Sequence, residues 1–320
     1  MKSHVIVTTL MLACTAGLVQ AQVAQPSPRT APGRANLRNQ LPKPVNVPFE
    51  PMWKKDEQGK VLPIDGHYDL HALRNNPTVS DETLAKCESG IREWLAEVDR
   101  VTIDNLDFLE KLEGGLLDNF KLSDAGQIRV ISEMMQQLMS AGNANRFLNE
   151  KGLLDMQQIG VSQQIINDYQ QQRMQEVRPA GVNQQSLPKE EQEKMAADVS
   201  RLLYRMSAND TFVAYHRLIN EASTKLGGVI DGLDAPADAK AKAQAAFSEV
   251  SKAGDAPAKA SATKAALAAL PFDARRSALE KIAASRGSWD VWQGLPARPA
   301  NITANQRPAP SAAENSPDKR

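Results

Sequence analysis

"SDETLAKCESGIREWLAEVDRVTIDNLDFLEKLEGG", residues 80–115, decides the fold class. Leu84, Ile91, Leu95 and Val98 recur at helical spacing, and Ile103, Leu106, Leu109 and Leu112 carry the apolar stripe onward. That period belongs to helices with one buried face and not to strands, whose side chains alternate. Ser80 stands at a cap position with Glu82 and Thr83 in the first turn, and Gly114-Gly115 punctuates the far end.

The same signals recur downstream. "LSDAGQIRVISEMMQQLMSAG" opens on Ser123, offers Ile128, Ile131, Met135, Leu138 and Met139 to a core, and closes near Gly142. A further helix is expected from a Ser162 cap, with Ile165, Ile166, Tyr169 and Met174 on its buried side. Beyond a linker come "LPKEEQEKMAADVSRLLYRM" from Pro188, "TFVAYHRLINEASTKLGG" ending at Gly227-Gly228, an Ala-rich run from 235 to 270, and "LPFDARRSALEKIAAS". High helix propensity with few large side chains is the plain reading of the Ala-rich run. The fold class predicted is therefore all-α.

Two helical units are expected, 77–178 and 188–286, joined by a linker at 179–187. Their apolar positions align: Leu84, Ile91 and Leu95 meet Met195, Leu202 and Met206, and Leu106 meets Leu218. "GGLLD" at 114–118 meets "GGVID" at 227–231. Agreement of core positions and chain breaks, with the polar residues free to differ, is what two copies of one unit would retain. The expected architecture is a pair of packed, duplicated bundles.

The ends read differently. Lys2 and His4 precede the apolar run "VIVTTLMLA", and "VQAQ" supplies a small residue at a cut after Ala21. This matches a secretory signal over 1–21, which makes the protein periplasmic or extracellular. "LMLAC", ending at Cys14, also resembles a bacterial lipobox, and lipidation of that Cys is the second processing route. Residues 22–51 are rich in Pro, Gln and Ala and read as an extended tether. Residues 52–76 read as turns and edge strands, with Asp65-Gly66 a favoured hairpin pair. Residues 287–320 hold Trp289 and Trp292 and then a polar, Pro-rich tail expected to be disordered. The two Trp residues either fasten the tail to the bundle or form an interaction spot.

Composition narrows the function. Lys plus Arg equals Asp plus Glu, 38 each, and aromatic residues make up 5%. No uniformly basic surface for nucleic acid is indicated, and the mean hydropathy of −0.43 suits a mature chain without a transmembrane helix. The chain has no HExxH, no GxSxG, no phosphate-binding glycine loop and no CxxC. His216 and Glu221 are spaced wrongly to share a helix face. The one stretch that invites chemistry is "PIDGHYDLHALRNNP", residues 63–77, where Asp65, His67, Asp69 and His71 fall at alternate positions. On a strand they would share one side, an O and N donor set suited to a divalent metal. Pro63 and Gly66 argue against a regular strand, and the favoured reading is a solvated edge, or hydrogen bonds that seat the segment on the helices. Replacing both His residues is then expected to leave folding nearly unchanged. The expected function is that of an exported, non-enzymatic helical protein that binds a protein or a cell-envelope partner. A metal-binding protein is the alternative, and an enzyme lacking familiar motifs the third reading.

Overall fold

Several helices of this chain begin where a side-chain acceptor or a proline is placed to start them. In the computed structural model, residues 47–116, 125–177, 187–287 and 289–299 are described. They hold eleven α-helices: α1 Tyr68–Asn75, α2 Asp81–Asp104, α3 Leu106–Glu113, α4 Ala125–Leu138, α5 Ala144–Glu150, α6 Met156–Val177, α7 Lys189–Ser207, α8 Asn209–Ile230, α9 Ala237–Ser248, α10 Ala256–Ala268 and α11 Phe272–Ala284. Ser80 caps α2 by accepting from the Thr83 N–H at 3.1 Å, as its position in the sequence suggests. Asn143 and Asp255 cap α5 and α10 in the same way. Pro188, Pro236 and Pro271 immediately precede α7, α9 and α11. The signal segment, Cys14, most of the tether, Ser123, most of the linker and the tail beyond residue 299 lie outside the described residues.

Gly114-Gly115 ends α3 as expected. Gly115 has φ +88°, the Leu116 N–H donates to the Lys111 carbonyl at 2.9 Å, and the Gly115 N–H donates to the Leu112 carbonyl at 3.3 Å. This is a Schellman arrangement, in which a left-handed glycine lets the chain turn back onto the last carbonyls. Gly227-Gly228 does not stop its helix. Both lie inside α8, which runs on to Ile230. The reason is packing: a Cβ on Gly227 would stand 2.7 Å from the Phe247 ring of α9, so the glycine permits close approach. Ser162 likewise is no cap. It is buried inside α6, where its hydroxyl accepts from the Asn76 side chain at 2.9 Å.

The long helix α8 is the hub. Thr211, Ala214, Tyr215, Leu218, Ile219, Ala222, Leu226 and Ile230 form its buried stripe. It touches α2, α3, α7, α9, α10 and α11. The largest apolar cluster joins Leu106, Leu109, Leu112, Ile131 and Met135 from before residue 178 to Leu218, Leu226, Leu267 and Leu279 from after it. The boundary between 178 and 188 thus separates stretches of chain but not cores. A second cluster gathers Leu70, Leu73, Cys87, Ile91, Trp94 and Leu148, and all described residues belong to one compact unit.

Residues 47–64 are held against α6. Val47, Phe49 and Met52 pack on Val161, Ile165 and Ile166. Trp53 Nε1 donates to Asp168 at 2.6 Å and Arg173 to the Val61 carbonyl at 2.8 Å. A single antiparallel bridge, Lys55 to Val61, closes around Gly59. The hairpin turn is therefore at 56–60, where the Asp56 carboxylate accepts from the Gln58 and Lys60 N–H groups, and not at Asp65-Gly66. No helix among the described residues is long and apolar enough to cross a membrane.

Candidate functional site

The His/Asp stretch forms no strand, and of its four candidate residues only Asp65 is exposed. Residues 68–75 form α1, so Asp65 and His67 lie before the helix, while Asp69 and His71 lie on it. His67, Asp69 and His71 are all buried. Each has a protein partner. The His67 Nδ1–H donates to Asp210 Oδ1 at 3.0 Å, and the ring meets Trp94 edge-on at 5.2 Å. Asp69 accepts from the Ala144 N–H at 2.6 Å. The His71 Nε2–H donates to the Asp65 carbonyl at 3.2 Å. Gly66 (φ +128°) makes this possible, because a Cβ there would sit 2.9 Å from His71 Nε2. Its carbonyl accepts from Asn209 at 2.9 Å.

Burial governs the ionisation of this cluster. The Asp69 carboxyl is pushed up to about 7, first by desolvation and then by the charge of Asp210, against the N–H groups of Ala144 and Asn145. His71 is pushed down, chiefly by desolvation. Nearby, Asn76 donates to the Gln158 carbonyl and to Ser162, so the cluster ties α1 to α5, α6 and α8. Its hydrogen bonds seat α1 on the neighbouring helices, which overturns the solvated edge and agrees with the hydrogen-bonded alternative. A metal site built on alternation loses its geometric basis once the strand is replaced by a loop and a helix. Among the described residues no three His, Cys, Asp or Glu side chains gather in a way that could hold an ion.

Trp289 and Trp292 are both partly buried against the second cluster, beside the buried Val291. Arg217 lies over the Trp289 ring and Arg74 over that of Trp292. Arg298 reaches Asp81 and the Val79 carbonyl at the start of α2. Residues 289–299 are thus a strap across α1 and α2. Cys87 is fully buried and its thiol is pushed up to about 11 by desolvation, far from a nucleophile's range.

One open depression in the helix packing was not singled out in the sequence. A cleft of about 450 Å³ is lined by Glu110, Glu113 and Gly114 at the end of α3, Tyr215 of α8, and Lys264, Ala265 and Ala268 of α10. Glu113 accepts from Lys264 and stands 3.2 Å from His216 Nε2. His216 therefore pairs across helices, while Glu221 takes Arg286. Burial raises Glu110, whose nearest cation, Arg275, is 3.8 Å away. Tyr215 is 0% exposed and its hydroxyl has no hydrogen-bond partner. Desolvation, then Glu113 and Glu110, push that phenol upward. Glu113 acts on it by charge and also as a neighbouring side-chain acceptor, although no bond of full geometry forms. These residues come from three helices and two halves of the chain, so no local spacing marks them. Compared with protein-family models, with curated proteins and with solved structures, the chain matches none of them.

Proposed function

We propose that this is an exported, non-enzymatic helical protein that binds a protein partner of the cell envelope through the cleft between α3, α8 and α10. The observation that carries the binding role is the buried, unpartnered hydroxyl of Tyr215 among the cleft carboxylates. A buried polar group left unpaired costs folding free energy of about 1–3 kcal/mol, and a bound partner would satisfy it. Export rests on the residues of the 1–21 segment. The duplicated-unit reading belongs to the same proposal and now stands on the apolar register and on the match of Pro77 with Pro188 and of Ala141-Gly142 with Ala253-Gly254, since the two Gly-Gly pairs serve different ends. Two experiments test the function. A photo-crosslinking residue at Ala268, in the cleft, is expected to capture one envelope protein that the same residue at Lys242, on the outer face of α9, does not. Equal capture at both positions, or none, defeats the binding reading. Sequencing of the exported protein is expected to start at Gln22, and a lipidated Cys14 terminus would replace that with membrane anchorage.

A further inference from the structure

The cleft holds an internal ammonium already. Lys264 extends from α10 to Glu113, with which it forms an ion pair, and its Nζ lies 5.1 Å from the centroid of the Tyr215 ring. A cation above an aromatic face and against a carboxylate is how proteins recognise alkylammonium groups. Three further features suit the same guest. Glu110, which stands 3.8 Å from Arg275, adds a second carboxylate at the rim. The Tyr215 oxygen has free lone pairs and can accept from an N–H donor. Ala265 and Ala268 leave a small, apolar floor for an alkyl stem. A structural ion pair alone would explain Glu113 and Lys264, but it does not explain a fully buried tyrosine hydroxyl kept without a partner beneath them.

We infer that Lys264 is a resident stand-in, and that the cleft receives a primary ammonium group, a lysine side chain of the protein partner, in its place. The inference rests on the binding reading above and gives it a chemistry. The incoming ammonium takes over the Glu113 contact and the ring face. Lys264, about one-third exposed, swings to solvent, and the opened cleft brings the Tyr215 hydroxyl within reach of the guest. Arg275 cannot compete for the guest's place, because it is buried and bound to Asp107.

The test uses the full chain and Nα-acetyl-lysine methylamide as probe, with n-butyrate as the oppositely charged control, read by calorimetry and by chemical-shift titration. Lys264→Met keeps the stem and removes the resident charge, and should bind the lysine probe roughly tenfold tighter than wild type. Adding Glu113→Gln should abolish that gain. Tyr215→Phe should weaken probe binding severalfold while raising Tm, because it removes an unsatisfied buried oxygen. A merely structural tyrosine would lower Tm or leave it unchanged. Lys264→Gln serves as the second vacating variant and should show the same direction. Unchanged affinity in both Lys264 variants, or butyrate binding as well as the amine, overturns the inference. The two readings fail separately. Loss of Ala268 crosslinking with amine binding intact defeats the partner, and crosslinking without amine binding defeats the ammonium site.

Discussion

His67 shows how one side chain can be misread by its neighbours. Its place in an alternating run of acids and imidazoles suggests a strand, but its ring is an anchor between α1 and α8 through Asp210. Replacing His67 and His71 together by Ala should therefore cost about 2–4 kcal/mol, the range for removing buried hydrogen-bonded side chains. Urea unfolding measures it, and a change within 0.5 kcal/mol, roughly what surface positions give, would restore the edge reading. Asp69 makes a prediction in pH. Folding raises its pKa from the ordinary 3.8 to about 7, so the folded state keeps a proton that the unfolded chain has already lost. Its stabilising contribution is fullest below about pH 4 and is lost as pH rises through about 7. Asp69→Asn should gain stability relative to wild type across that window, seen as diverging unfolding free energies. Parallel profiles would show that Asp69 does not carry the proton.

At the scale of elements, the paired glycines of α8 separate packing from propensity. Gly227→Ala must displace the Phe247 ring, whereas a Cβ on Gly228 meets nothing within 4 Å. Gly228→Ala should stabilise by about 0.5–1 kcal/mol through helix propensity, and Gly227→Ala should destabilise by about 1–3 kcal/mol through overpacking. Thermal melts of the two variants side by side decide it, and matching shifts would sink the argument. The contrast also shows what was legible in sequence. The long helix α2 announced itself through period and cap, and α3 by carrying the same stripe on to a glycine stop. The short helices α1 and α5 did not. α1 buries Asp69, His71 and Asn75 beside its apolar residues, so no amphipathic stripe marks it. α5 spans too few residues to establish a period. The cleft was hidden for another reason: Glu113, Tyr215 and Lys264 meet only through the packing of three helices, and helix packing is not written in local spacing.

Across the whole molecule, the chain is closed by its last described residues. Trp289, Val291, Trp292 and Leu295 cover the second core cluster. Arg286 joins them to the interior, since it binds Asp99, which is 4% exposed and also takes Arg217 at 2.8 Å. A chain ending at Gly287 should lose about 2–5 kcal/mol, the order expected when several large apolar side chains no longer cover a core. Its urea midpoint should fall with the loss. An unchanged midpoint would mean that the strap only rests on the surface.

That strap also sets a clock. Arg298 meets the Val79 carbonyl across 219 positions of chain, so this contact at the start of α2 cannot form until Arg298 has been made. Contacts that span so much sequence form late, because a large loop must close before they return any free energy. A ribosome making this protein would hold back that contact until residue 298 clears the exit tunnel. On the export reading, the delay keeps the chain pliable while it is handed to a translocation pore, and native structure forms on the far side.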